Sequence, residues 1–297
     1  MKYTSTKTLL DIEFEHLNKR VAGVKTGFTS GYIAIDKSLG GSGFEPGLIT
    51  VFAGRPGMGS SLISLNVLVN QLMQLNDSEV LIYITTKDSS TVILQRILAI
   101  AHDIEITKIQ NGDLSVHELN SMQDGSFCNK KLHGLVLVEH PSPSIEDMQN
   151  LLFNLVKEGK SIRSLTIDTL QNVKTDSSIT KDQGVAQMLK ELRVAAIQFQ
   201  FSIIVTSEVS RRVEYRDGPK IPQLKDLKDS RLIADKVDFV YFVLRPMYYE
   251  VPGEDETISD EMHLICKKNK YGPLDLIDLT VDLKTQRITN GLTFTKI

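Results

Sequence analysis

The chain reads as an α/β fold with a mainly parallel central sheet and helices on both faces. Three observations predict it. An apolar, β-branched run, Ile49 to Phe52, meets the turn Gly54-Arg55-Pro56-Gly57-Met58-Gly59, which opens into an apolar-periodic segment. That order is strand, glycine-rich turn, helix. Downstream, strand-like runs alternate with helical patterns, as in parallel sheets built from crossover units. Val80–Ile84 is apolar throughout, as expected of a strand covered on both faces.

The elements follow in order. In residues 1–25, Leu9, Leu10, Ile12, Phe14 and Leu17 are interleaved with Asp11, Glu13, Glu15 and Lys19, and most fall on one helical face. A helix this short needs a surface, on its own domain or on a neighbouring copy. Residues 26–47 are turn-rich, with an amphipathic piece at Tyr32–Leu39. Leu48–Phe52 is the first core strand, Ser61–Leu75 a buried helix, Val80–Ile84 a strand and Ser89–Ala101 a helix. Thr107–Leu119 predicts two short helices broken at Asn111-Gly112. Leu135–Val138 is a third strand, and Ser144 with Asp147 forms a capping box for a helix over Ile145–Lys157. Ser164–Asp168, Ser202–Ser207 and Asp238–Leu244 are further strands, with a long helix at Gly184–Phe199. Met262–Leu283 reads as two strands joined at Tyr271-Gly272-Pro273.

With 297 residues, the chain can hold one large domain, residues 26–297, beside the appendage 1–25. A net charge of −3 gives no global basic footprint, so any nucleic-acid contact must be local. Cys128 and Cys266 lack metal-ligand spacing and read as reduced thiols of a cytoplasmic protein. No run reaches the ~18 apolar residues of a membrane span. Neither a signal-peptide core nor an internal repeat is evident.

In such sheets ligands bind at the carboxyl ends of the strands. The residues to weigh there are Gly54–Ser61, Thr85–Asp88, Asp168-Thr169 and Ser207-Glu208. A phosphate-binding loop has the pattern Gly-x-x-x-x-Gly-Lys-Ser/Thr, and it works because glycines let backbone N–H groups turn inward at a helix N-terminus. Gly54, Gly59 and Ser61 fit this pattern, while Ser60 stands in the place of the lysine.

The segments TGFTSGYIAID, GRPGM, TKIQNGDLS, LTIDTLQNV, IIVTSEVSRR, LKDLKDSRLIADKVDFVYFVLR and KKNKYGP occur in the order of the motifs of the C-terminal domain of DnaB-type replicative DNA helicases. The resemblance spans roughly Leu9 to Leu283. It implies a RecA-like P-loop NTPase fold that binds ATP and Mg²⁺, forms a hexameric ring and acts on single-stranded DNA. The resemblance leads one to expect no counterpart of the family's N-terminal domain, which contacts primase, and Leu9–Lys19 resembles the linker helix that packs on the next subunit. By the same resemblance, Gly54, Arg55, Pro56, Gly57, Met58, Gly59, Ser60 and Ser61 hold the nucleotide. Ser61 is the magnesium-binding hydroxyl, and Asp168 the aspartate that orients the metal's water; both suit a hard cation.

Four positions depart from the family pattern. Ser60 replaces the phosphate-binding lysine, and Thr86 stands where the water-activating glutamate belongs. Glu208 replaces the glutamine that senses the last phosphate. Lys268 and Lys270 replace the Lys-x-Arg pair that a neighbouring subunit inserts, which loses the planar guanidinium fork. A carboxylate ~4 Å from a phosphate charge is repelled by about 4 kcal/mol at an effective dielectric near 20. Losing a general base removes a factor of roughly 10² to 10⁴. Hydrolysis is therefore expected to be weakened or lost, unless Lys87 replaces the missing lysine and Glu208 acts as base.

The family contacts DNA through two channel loops, here Lys174–Gln183 and Ser210–Lys220. Arg211, Arg212, Arg216 and Lys220 make the second locally basic, with Glu214 and Asp217 diluting it. Two readings follow: a helicase motor domain in a homo-oligomeric ring, or a pseudo-ATPase that acts as a binding or regulatory module, alone or in a mixed ring with an active helicase. A recombinase- or clock-type relative fits less well, because of the KNKYGP and TGFT segments.

Overall fold

The computed structural model describes residues 5–23, 27–125, 127–218, 220–228, 232–248 and 261–296. Parts of the predicted appendage (1–4 and 24–25) and one residue of the second basic loop (219) lie outside them.

A single sheet of nine strands organises the described residues. In chain order the strands are β1 (Ile49–Gly54), β2 (Glu79–Thr85), β3 (Leu135–Glu139), β4 (Ser161–Asp168), β5 (Ser202–Glu208), β6 (Phe239–Leu244), β7 (Glu261–Asn269), β8 (Asp275–Asp282) and β9 (Arg287–Lys296). Their order across the sheet is β3-β2-β4-β5-β1-β6-β7-β8-β9. Pairing is parallel from β3 through β6 and antiparallel from there to β9. The helices are α1 (Thr6–Val21), α2 (Ile33–Ser38), α3 (Ser60–Leu72), α4 (Ser90–His102), α5 (Ile106–Asn111), α6 (Val116–Asp124), α7 (Ile145–Lys157), α8 (Lys181–Phe199) and α9 (Ile233–Lys236).

Local chemistry accounts for these boundaries. Gly112 ends α5 in the left-handed region at φ 71°, where a side chain would be strained. Ser144 and Asp147 form the capping box that starts α7. β1 is buried along its whole length, with Ile49, Val51 and Ala53 in the core cluster that includes α8 and Phe52 in the cluster that includes α3. The sheet is thus packed on both sides by a large apolar core around α7 and α8 and by two further clusters around α2, α3 and α4.

The structure corrects the sequence reading at several places. Helix α8 begins at Lys181 rather than Gly184, because Thr180 and Gln183 form a capping box. The end of the first predicted channel loop is therefore helical. Helix α3 runs Ser60–Leu72, not Ser61–Leu75. The last part of the chain holds a third strand, β9, whose Asn290-Gly291 pair hides its strand pattern. Helix α9 and the turn Phe127–Lys131 have no periodic signal of useful length.

The predicted N-terminal helix forms with Ser5 as its cap, its hydroxyl accepting from the Thr8 N–H. Its apolar residues are not covered: Leu10 is 51% and Phe14 59% exposed. Arg20 reaches Glu45 at 3.2 Å, a surface ion pair of small value. Of the two surfaces the sequence offered this helix, its own domain does not bury it.

Candidate functional site

The site is built where β1 ends. The chain leaves the sheet at Gly54 and enters α3 at Ser60 through a turn in which Gly57 and Gly59 take φ of 86° and 96°. Gly54 is needed for another reason: a Cβ there would lie 2.7 Å from Ser60 Oγ and 3.1 Å from Met58 Cβ. Gly59, the N-cap of α3, has no side chain with which to cap, so the helix's first N–H groups stay available to an anion. The turn walls a cavity of about 310 Å³ that also reaches Lys87, Asp168, Glu208 and Arg245.

Ser61, in the first turn of α3, donates to Asp168 Oδ1 at 2.9 Å. Thr206 Oγ1 donates to the same oxygen at 2.5 Å, and Tyr83 OH to Oδ2 at 2.8 Å. These donors come from α3, β5 and β2, the elements around the end of β4. Burial, then the Asp168 charge, pushes the Tyr83 phenol well above its ordinary value, so it stays a donor. Ser60 lines the cavity, and its Oγ is buried without a partner. An oxygen-only pair at Ser61 and Asp168, an orphaned hydroxyl and a cradle that a Cβ would fill together fit a phosphate with a hard divalent cation.

Where the family pattern has its glutamate, Thr86 serves as a latch. Its Oγ1 donates to the Asp168 carbonyl at 3.0 Å and accepts from the Thr169 N–H at 2.9 Å. The second carboxylate of the site, beside Asp168, is Glu208. It ends β5, in register with Gly54 on β1. Lys87 Nζ lies 2.7 Å from one oxygen and Lys228 Nζ 2.8 Å from the other. Lys87 arrives from the far side of β4. Lys228 is brought in by its own N–H, which donates to the Glu208 carbonyl at 2.9 Å, and by the bridge between Val209 and Leu227. Burial alone would raise the Glu208 carboxyl, but the hydrogen bonds from Lys228 and Lys87 outweigh it, and the net shift is below the ordinary value.

Other expected residues have different surroundings. Met58 is buried and its sulfur accepts from the Arg245 N–H, so its side chain packs behind the turn and does not line the cavity. Arg55 borders the cavity but its guanidinium pairs with Glu214 at 2.7 Å and donates to the Val209 carbonyl at 3.0 Å. Arg216 binds Asp226 through both carboxylate oxygens, at 2.7 and 2.9 Å, and so holds its loop together. Arg211, Arg212 and Lys220 are exposed. Lys268 and Lys270 are not in this cavity. Lys268 donates to the Ala234 carbonyl, and Lys270 lies 3.4 Å from Asp238. Asp238 precedes β6 and accepts from the Ile49 N–H, at the opposite end of the strands from the turn.

Sequence reading did not single out Tyr83, Thr206, Lys228 or Gln171. The last clamps the ends of β4 and β5: its oxygen accepts from the Glu208 N–H and its nitrogen donates to Ser207 Oγ, both at 3.0 Å. Gln171 and Lys228 do fall in quoted motifs, LTIDTLQNV and LKDLKDS, but spacing alone cannot aim a side chain. Among the described residues no group of three or more His, Cys, Asp or Glu is arranged to hold a metal, and no helix is long and apolar enough to cross a membrane.

The family model described as the DnaB-like helicase C terminal domain matches residues 23–290. The replicative DNA helicase DnaB of Geobacillus stearothermophilus is 25% identical over 289 residues, covering 96% of this chain and 60% of that protein. DnaB of Mycoplasma genitalium is 27% identical over 253 residues, covering 84% and 53%. The replicative DNA helicase DnaC of Bacillus subtilis is 25% identical over 295 residues, covering 98% and 62%. The chain thus spans between 53% and 62% of the length of these three relatives. Among solved structures, the ATPase domain of G40P superposes with a TM-score of 0.84 at 20% identity, covering 98% of this chain and all of that one. A DnaB-like replicative helicase studied with its primase interactions gives 0.80 at 20% identity, covering 98% and 68%. Both likenesses show a shared fold.

Proposed function

Because the chain belongs to the DnaB-like helicase C-terminal domain family, we propose that it is a RecA-like, ATP-binding domain that works on single-stranded DNA in replication, with weakened hydrolysis. The observation that carries this reading is the Ser61–Asp168 contact at the rim of a cavity walled by a glycine-rich turn. Nucleotide phosphates bind the N–H groups of the turn and of the first turn of α3. Ser61 and Asp168 hold Mg²⁺, which supplies charge neutralisation on the phosphates. Lys87 and Lys228 add the positive charge that Ser60 lacks. With Thr86 unable to act as a base, Glu208 is the one carboxylate at the cavity placed to take a proton from water, and its engagement with two lysines lowers its basicity.

Lys268 and Lys270, remote from their own cavity, act in that of an adjacent copy, so the working form is a ring, homo-oligomeric or mixed with an active helicase. Residues 1–25 are the linker-type appendage and residues 26–297 the motor domain, with the exposed apolar face of α1 docking on the next copy. Arg211, Arg212 and Lys220 neutralise DNA phosphates. The protein works in the cytoplasm.

A second reading, a pseudo-ATPase that keeps the fold and assembly surface, is favoured by the lysine-clamped Glu208 together with the missing acid at Thr86. ATP turnover with and without single-stranded DNA, measured beside direct nucleotide binding, separates the two. DNA-stimulated turnover supports the motor, whereas binding without turnover supports the second reading. Absence of nucleotide binding overturns the proposal.

A further inference from the structure

We propose that this cavity is selective for a nucleoside diphosphate over the triphosphate, because Glu208 stands in for the last phosphate. The proposal rests on the nucleotide reading above and specifies the ligand of that same site.

The argument begins with position. The turn Gly54–Ser61 cradles the phosphates next to the sugar, and the Ser61–Asp168 contact marks the metal side. The next phosphate along would lie beyond the turn, against the ends of β4 and β5. Glu208 sits there, level with Gly54 in the sheet register. Its two oxygens receive one lysine each, at 2.7 and 2.8 Å, the kind of charge-assisted contact a terminal phosphate makes. Both lysines are thus engaged before any ligand arrives.

A diphosphate leaves this arrangement intact. A triphosphate must either pull Lys87 and Lys228 away from Glu208 or bring its own negative charge against the carboxylate. The carboxyl is held below its ordinary value by the same lysines, so at neutral pH it does not escape the conflict by taking up a proton. Two partly exposed lysine–carboxylate pairs correspond to roughly a tenfold effect on an equilibrium.

The test is equilibrium binding, to the full chain, of Mg·ADP and of Mg²⁺ with the β,γ-imido analogue of ATP. Binding of ADP about tenfold tighter than the analogue is expected. Glu208→Gln should strengthen the analogue about tenfold and change ADP less than threefold, because its amide releases both lysines to the extra phosphate. Equal affinities in the wild type, a preference for the analogue, or a Glu208→Gln variant that moves both ligands alike would each overturn the selectivity while leaving a nucleotide site in place. Failure of both ligands to bind would remove the nucleotide reading itself and this proposal with it.

Discussion

The Ser61 hydroxyl and the Asp168 carboxylate meet at 2.9 Å although 107 positions separate them in the chain. One begins a helix and the other ends a strand, and the sheet order brings β4 within one strand of β1. Their meeting follows from the topology, because parallel strands deliver their carboxyl ends to one rim.

Ser61→Ala should leave the fold intact and weaken magnesium-dependent nucleotide binding by about tenfold, the loss of one charge-linked hydroxyl contact. Asp168 keeps its bonds from Thr206 and Tyr83 in that variant, so the thermal midpoint should move little. Isothermal titration with and without Mg²⁺ reads the effect. An unchanged metal dependence would mean that Ser61 is not a ligand.

Gly54→Ala should act on stability before it acts on binding. The added carbon would press on Ser60 Oγ at 2.7 Å and on the Val243 carbonyl at 3.3 Å. Neither the buried strand nor the helix start can yield freely, so about 1–3 kcal/mol of unfolding free energy should be lost. Denaturant titration measures it directly.

Phe14→Asp on α1 should leave the unfolding of the sheet domain unchanged, since that side chain is 59% exposed and belongs to none of the core clusters of the described residues. In assemblies it should lower particle mass, which sedimentation or light scattering reports. A large stability loss with constant mass would show that the helix docks on its own domain.

Glu208 links stability to acid. Its carboxyl lies below the ordinary value of 4.5, because the lysine hydrogen bonds outweigh burial. A depressed carboxyl contributes stability above its unfolded pKa and loses it as pH falls through the folded one. The difference in thermal midpoint between wild type and Glu208→Gln should therefore stay constant from pH ~8 to ~5 and change only below the ordinary carboxylate range. A difference that varies near neutrality would contradict the lysine-held state.

Lys268→Ala and Lys270→Ala should leave nucleotide binding to isolated chains unaltered, because both residues lie at the far end of the strands from the turn. Any loss should be in turnover of the assembled form, and mixing these variants with Ser61→Ala chains should restore part of it. A loss of binding in the monomer would place the lysines in their own cavity.

Much of this molecule is written locally. Period-two and period-3.6 patterns, the cap at Ser144 and the breaker at Gly112 determine where most elements lie, because each depends only on neighbours a few positions away. The glycine spacing from Gly54 to Gly59 likewise marks the turn and the wall of the cavity. The sequence also made plain which family residues had been exchanged. What it could not reveal is where the exchanged charges point. Only the folded sheet brings Lys87 across β4 to one oxygen of Glu208 and Lys228 to the other, turns Arg216 onto Asp226, buries Met58 and leaves Phe14 uncovered. Those outcomes depend on strand order and on partners far away in the chain, and a side chain's electrostatic role belongs to the partner it reaches rather than to the motif that contains it.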